Sequence, residues 1–234
     1  MTVLDRSPKQ YTAHPPLAAE KIPPLNNGDH LTRREFERRY EATAEKVKAE
    51  LIEGVVYMAS PVYLPHAESH GDMATWLGTY RTYTPKIRVA DNVTIRLDAE
   101  NEVQPDLAAW IDERKAHQSQ EGYLEGAPEL VIEVAVSSAS YDLHEKLRVY
   151  RRNGIQEYIV WRVLDKQIDW FELKDGEYVR LTQDEGGVIK SNIFPGLWLA
   201  ANNLLNGDLA KVLAKLNEGL ATEEHREFVE KLNS

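Results

Sequence analysis

Two carboxylates in apolar surroundings are the residues of this sequence best suited to chemistry. The first, Glu133, lies inside the run ELVIEVAV, which starts at Glu129 and is almost continuously apolar. Side chains alternate between the two faces of a strand, so Glu133 shares a face with Val131 and Ala135 and is predicted to be buried. An ionised carboxylate in such a place is costly unless it is paired or binds a metal. A buried salt bridge to Arg or Lys explains Glu133 equally well when it is considered alone.

The second carboxylate is Asp106, in the segment VQPDLAAWI, which is predicted to form one strand with Pro105 at its edge or start. If this segment is a strand next to that of Glu133, the two carboxylates meet at one edge of a sheet. Two anions held together repel each other, so the pair needs a shared cation or a shared proton. Mg²⁺ suits such a site because it prefers oxygen ligands and keeps several waters, and Mn²⁺ is an alternative ion. Considered alone, Asp106 is more typical of a turn or a strand edge.

A third polar group, Asp142-Leu-His-Glu-Lys146, begins a predicted helix just beyond the Glu133 strand. Open α/β sheets carry their sites at the carboxyl ends of strands, so Lys146 could reach the carboxylates and offset charge on a phosphate. The same spacing fits an i,i+4 ion pair between Asp142 and Lys146, or Asp142 as a helix N-cap with Glu145 at the third helical position. The sequence leaves these alternatives open.

Two further residues are secondary candidates. Glu50 enters a predicted hairpin, where it either orients a ligand or caps a sheet edge, and the structural interpretation is favoured. His66 lies four residues before His70, but Glu68 between them is at the wrong offset for the HExxH zinc motif. His66 is therefore a candidate phosphate contact or a donor behind the metal ligands, although a surface position on a helix is the simpler interpretation.

The elements that must position these residues follow an α/β pattern. Thr32 and Glu35 form a capping box for a first helix, a hairpin turns at Glu53-Gly54, and Pro65 opens a second helix. Residues 129–163 read as a strand, a helix that ends at Asn153-Gly154 and a second strand, which is a parallel βαβ crossover. We predict an α/β fold with a mixed, twisted sheet and helices on both of its faces.

Length and composition set the remaining limits. The 234 residues suit one α/β domain, and we predict a mobile arm or a segment laid over the domain at residues 1–30, the domain over 31–206 and a helical tail over 207–234. The last part of the tail, ATEEHREFVEKLNS, is predicted to be a solvated amphipathic helix or to pack on a partner subunit. The absence of cysteine excludes disulfides, zinc-thiolate sites and thiol nucleophiles. No secretory signal and no long apolar run is evident, so we expect a cytoplasmic protein without a membrane span. The net charge of −10 argues against a broad nucleic-acid surface, but not against a small catalytic cleft.

Several segments resemble the Uma-two family of restriction endonuclease-like proteins, within the PD-(D/E)XK nuclease superfamily. The matching segments are AELIEGVVYMAS, His66, VQPDLAAW, ELVIEVAVSSASYDLHEKLRVYRRNGIQEYIVWRV and FPGLWL, in the family's order, over roughly residues 47–200. The resemblance implies a restriction-endonuclease-like fold, with Asp106 and Glu133 as the acids of the motif, Mg²⁺ between them and DNA as the substrate. The motif's lysine would fall at Ala135, and Lys146 is its replacement. The segment VSSASYD also differs from the family's Ser-Pro-Ser/Thr stretch, which bears on substrate handling near Ser137 and Ser138.

We therefore expect Mg²⁺-dependent hydrolysis of DNA, with Asp106 and Glu133 on the metal and Lys146 orienting the water or stabilising negative charge. A catalytically silent module that binds nucleic acid or protein on the same fold is the alternative, which Ala135 and the acidic charge favour somewhat. A carboxylate-pair glycosidase ranks below both, and it predicts activity in the presence of a chelator. A homodimer would supply two sites for the two strands of a duplex, although the sequence does not test it.

Overall fold

The computed structural model describes residues 22–43, 48–58, 61–112, 114–136 and 142–234. Its helices are α1 (Arg33–Ala42), α2 (Leu64–Tyr83), a π-helical turn (Asp142–Lys146), α3 (Leu147–Arg152), α4 (Ala201–Leu205), α5 (Leu209–Leu220) and α6 (Glu223–Asn233). Its strands are β1 (Ala49–Ile52), β2 (Val55–Met58), β3 (Ile87–Asp91), β4 (Ile95–Asp98), β5 (Asn101–Val103), β6 (Leu107–Ile111), β7 (His117–Gln118), β8 (Leu124–Glu125), β9 (Leu130–Ala135), β10 (Glu157–Arg162), β11 (Gln167–Lys174), β12 (Glu177–Arg180), β13 (Val188–Lys190) and β14 (Trp198–Ala200).

The main sheet has the strand order β12-β11-β10-β9-β6-β3. Strands β9 and β10 are parallel and are joined through the π-helical turn and α3, so the predicted βαβ crossover is confirmed. The other pairs in this sheet are antiparallel, which makes the sheet mixed as predicted. One face packs against α2, α5 and α6, while the other packs against α3 and a second sheet.

The second sheet, with the order β2-β1-β5-β4-β8-β7, is a feature that the sequence did not predict. The segment VQPDLAAWI was expected to form one strand with Pro105 at its edge or start. The structure divides it instead between β5 in the second sheet and β6 in the main sheet, with Pro105 in the link. Proline lacks an N–H for ladder bonding, so it suits a point where the chain changes sheets. The link places Asp106 directly before β6.

The two ends of the chain differ in how they meet the domain. Residues 1–21 of the predicted arm lie outside the described residues, whereas Leu25 is buried and the Gly28 N–H donates to the Val56 carbonyl. The last helix, α6, was predicted to be solvated, but its Leu232 is buried in the main core, as are Val212 and Leu216 of α5. Among the described helices, none combines the length and the apolar character that crossing a membrane requires.

Candidate active site

The main sheet brings the two predicted carboxylates together at the start of β6. Strands β6 and β9 are antiparallel neighbours with Leu107 opposite Ile132, so continuing the register by one residue places Asp106 beside Glu133. Directly opposite residues of an antiparallel pair point to the same face. Both side chains line one cavity of about 400 Å³, and each residue is only 5% exposed. The expected meeting of these two carboxylates on one face is therefore seen in the fold.

Asp106 is held as an anion by three positive or donating groups. Its Oδ2 accepts a hydrogen bond of 2.7 Å from the Val134 N–H, and its Oδ1 lies 3.4 Å from His66 Nε2 and 4.0 Å from Lys48 Nζ. Burial raises the pKa of Asp106, but the His66, Val134 and Lys48 contacts outweigh burial, and the net pKa lies below its ordinary value. The Asp106 carboxylate is thus ionised at neutral pH.

His66 lies in the first turn of α2 and bridges Asp106 to the β9 backbone. Its Nδ1 is 2.8 Å from the Val134 carbonyl, which can only accept, so Nδ1 carries a hydrogen. Its Nε2 faces the Asp106 carboxylate, which is also an acceptor, so both nitrogens donate when the ring is an imidazolium. The hydrogen bond to Asp106 is the main reason that the pKa of His66 is raised, against the effect of burial. His66 thus lies on a helix as expected, but its side chain is only 22% exposed and contacts Asp106 rather than solvent alone.

Lys146 is the cation at the centre of the other half of the cavity. Its Nζ lies 2.8 Å from Glu133 Oε1, 3.0 Å from Glu50 Oε2 and 3.8 Å from Asp142 Oδ1, and the residue is only 4% exposed. Burial lowers the pKa of Lys146, but attraction to Glu133, Glu50 and Asp142 outweighs burial and raises the pKa well above its ordinary value. The predicted i,i+4 pair with Asp142 is present, although these residues form a π-helical turn rather than an α-helix.

Glu133 lies in a crowded negative environment. Burial raises its pKa to about 8; the carboxylates of Asp142, Asp106 and Glu50 act in the same direction, and Lys146 opposes them. The Tyr150 hydroxyl donates to Glu133 Oε1 over 2.9 Å. The Lys146 ammonium and the Tyr150 hydroxyl therefore both contact Glu133 Oε1.

Glu50 connects β5 to Lys146. Its Oε1 accepts a hydrogen bond of 2.7 Å from the Gln104 N–H, which secures the chain just after β5, and its Oε2 pairs with Lys146. Two residues with direct contacts in this cavity, Lys48 and Tyr150, were missed from the sequence. Their spacing carried a signal, because Lys48 is two residues before Glu50 along the chain and Tyr150 is four residues after Lys146 on the following helix.

Comparison with known proteins places this arrangement in a family. Residues 33–202 match the Uma2 family, which is described as "Putative restriction endonuclease". The chain belongs to the Uma2 family. The resemblance inferred from the sequence motifs is thereby confirmed. No curated protein matches the chain.

A solved structure supports the fold of this Uma2 chain. It is the crystal structure of a putative nuclease belonging to DUF820 from Anabaena variabilis ATCC 29413, and it is 13% identical in sequence with a TM-score of 0.60. The match covers 75% of this chain and 98% of that chain. The predicted restriction-endonuclease-like α/β fold, with mixed, twisted sheets flanked by helices, is therefore confirmed.

The donor chemistry of the Uma2 cavity fits a hard divalent cation. Within the residues that the structure describes, no three His, Cys, Asp or Glu side chains converge as a ready-made metal centre. However, the cavity is lined by four carboxyl side chains together with two lysines and two histidines: Glu50, Asp106, Glu133 and Asp142 with Lys48, Lys146, His66 and His70. Carboxylate oxygens are the ligands that Mg²⁺ and Mn²⁺ prefer, whereas zinc favours nitrogen and sulphur.

Proposed function

We propose that this Uma2 protein hydrolyses phosphodiester bonds in DNA with the help of a divalent metal ion. The observation that carries the proposal is the meeting of Asp106 and Glu133, two buried carboxylates from neighbouring strands, on one face of the sheet beside Lys146. Two carboxylates that face the same side of a sheet repel each other when both are ionised, and Asp106 does raise the pKa of Glu133, so a shared cation would relieve the repulsion. Membership in a family described as putative restriction endonucleases supports a nuclease rather than another carboxylate-pair hydrolase.

Asp106 and Glu133 would hold the ion, with Mg²⁺ as the first candidate and Mn²⁺ as the alternative. When bound, the ion lowers the pKa of a water and polarises the phosphate. His66 and the Val134 N–H contact the two oxygens of Asp106 and so restrain the orientation of its carboxylate. Tyr150 and Lys146 do the same for Glu133 by holding Oε1.

Lys146 would take the place of the motif's lysine, since Ala135 occupies that position on β9. It comes from the π-helical turn and approaches Glu133 from the carboxyl end of the strand. Its ammonium can donate to the attacking water or to a phosphate oxygen while it balances Glu50 and Glu133. Lys48, whose side chain is one-third exposed, lies near Asp106 at 4.0 Å and can meet a second phosphate oxygen. Ser137 and Ser138 lie outside the described residues.

The test is cleavage of labelled DNA in Mg²⁺, with and without EDTA. Asp106→Asn should reduce the rate by about 10²-fold or more, because it weakens the hold on the ion that would stabilise the developing negative charge. Asp112→Asn is the matched control, because Asp112 lies just beyond the other end of β6 and pairs with Arg88 on the surface. Cleavage that survives EDTA or Asp106→Asn would contradict the proposal.

A catalytically silent binding module is the second candidate. Two observations favour it. Within the described ranges no three metal-binding side chains converge, and the Lys146 ammonium already forms an ion pair with Glu133 Oε1. DNA binding without cleavage by the wild-type protein in Mg²⁺ or Mn²⁺ would support this module over the nuclease.

Sedimentation of the same samples tests the predicted homodimer.

A further inference from the structure

An exposed apolar cluster borders the cavity. Val62, Tyr63 and Leu64 are 70%, 59% and 69% exposed, and they are three of the seven large apolar side chains that are exposed in the described parts of the chain. Val62 and Tyr63 line the same cavity as Asp106 and Glu133. Exposed apolar side chains that occur singly need no explanation, but three in succession at the rim of a site indicate a contact with a ligand.

The position of this cluster relative to the carboxylates is fixed by α2. Tyr63 is the N-cap residue of the helix, and His66 lies about one helical turn further on. His66 in turn reaches Asp106 Oδ1 over 3.4 Å. A flat group stacked on Tyr63 would therefore border the cavity that Asp106 and Glu133 line.

The charges around the cavity do not favour a duplex. Tracking the backbone of a double helix requires Lys and Arg that neutralise several phosphates. The three arginines of α3 already contact carboxylates, since Arg148 and Arg152 contact Glu53 and Arg151 contacts Glu177. The net charge of −10 and the burial of Asp106 and Glu133 add to the difficulty, because a stacked duplex presents its phosphates on a broad surface.

We infer that Tyr63, flanked by Val62 and Leu64, is a stacking platform for an unpaired nucleobase, so that this site takes single-stranded DNA rather than an intact duplex. Every base offers a π-face, so stacking on an aromatic ring holds a single strand without a large basic surface. An unstacked strand is also thin and flexible enough to bring one phosphate down to recessed carboxylates. The inference rests on the proposed nuclease function for the identity of the ligand.

The test compares binding of a short fluorescein-labelled oligonucleotide, as a single strand and as a duplex, by fluorescence anisotropy in Mg²⁺. The wild-type protein should bind the single strand more tightly than the duplex. Tyr63→Ala should weaken single-strand binding about 5- to 150-fold, the range that base–aromatic stacking spans, and Tyr63→Trp should restore it. Tyr83→Ala is the matched control, because Tyr83 is 58% exposed at the other end of the same helix.

The outcomes separate this inference from the proposed function. Tighter binding of the duplex, no binding of the single strand, or equal effects of Tyr63→Ala and Tyr83→Ala would overturn the stacking platform. Cleavage that depends on Asp106 in the same samples would then leave the nuclease intact. Conversely, a Tyr63-dependent binding preference without any cleavage supports the platform and contradicts the nuclease. A wild-type dimer that Tyr63→Ala dissociates would assign the cluster to a protein interface and overturn the inference.

Discussion

Replacement of Lys146 by methionine tests the electrostatics of the cavity. The Lys146 ammonium lies within 4 Å of the carboxylates of Glu133, Glu50 and Asp142 and is almost completely buried. Methionine keeps much of the side chain's length and removes the charge. Taking one partner from a buried ion pair costs about 3–5 kcal/mol, because the remaining charge is left without compensation. We expect Lys146→Met to lower the free energy of unfolding by that amount near pH 8.

The pH dependence gives this prediction its sign. The raised pKa of Lys146 keeps the wild-type ammonium charged throughout the neutral range. The pKa of Glu133 is raised from 4.5 to about 8, so the folded state favours the protonated form of this side chain. The resulting contribution to stability is present below the pKa of the unfolded chain and is lost as the pH rises through 8. Without Lys146 the pKa of Glu133 rises further. The deficit of the variant should therefore be smaller at pH 5, where protons neutralise the carboxylates, than at pH 8.

Urea denaturation of the wild type and variants at both pH values measures the effect. Lys215→Met is the control, because Lys215 forms a partly exposed i,i+3 pair with Glu218 on α5 and its loss should cost about 0–1 kcal/mol. A deficit for Lys146→Met no larger than that of Lys215→Met, or one that does not change with pH, would refute this view of the cavity.

Two further predictions concern His66 and the packing of the C-terminal helices. Histidine NMR titration should give His66 a pKa above 6.5, and Asp106→Asn should lower that pKa because the Asp106 carboxylate is the main reason that it is raised. The stability that His66 contributes is present below pH 6.5 and is lost as the pH rises through the pKa of the folded state. An unshifted His66 would contradict the imidazolium bridge. Gly219→Ala should destabilise the protein by about 2 kcal/mol or more despite the better helix propensity of alanine, because its Cβ would lie 2.4 Å from the Gly196 carbonyl oxygen. Gly78→Ala in α2, where a Cβ meets nothing within 4 Å, should instead stabilise the protein by about 1 kcal/mol. Equal shifts in melting temperature for the two variants would argue against the close contact of Gly219 with Gly196.

The parts of the fold that are local in sequence could be predicted from it. The hairpin at Glu53-Gly54, the crossover over residues 129–163 and the burial of Glu133 all follow from periodicity and turn residues within short windows. The pairing of Asp106 with Glu133 was predictable because both begin or interrupt apolar strands that are close in the chain.

The predictions that failed concern features that depend on contacts between residues distant in the sequence. Pro105 is compatible both with the start of a strand and with a link between two sheets, and only the partners of β5 and β6 decide between them. His66 looked like a surface residue because its partners, Asp106 and Val134, lie 40 and 68 positions away in the sequence. The amphipathic pattern of α5 and α6 predicts an apolar face, but it does not say whether that face covers this domain or another surface.

A crystal of the wild-type protein soaked in Mn²⁺, with anomalous diffraction recorded at the manganese edge, is the most direct test of the divalent site. We expect an anomalous peak in the cavity with carboxylate oxygens of both Asp106 and Glu133 at about 2.0–2.2 Å, the distance typical of small divalent ions bound by oxygen. The same soak of an Asp106→Asn crystal should lose the peak. A cavity without manganese, or an ion bound elsewhere while Lys146 keeps Glu133, would contradict a metal-dependent chemistry at this site.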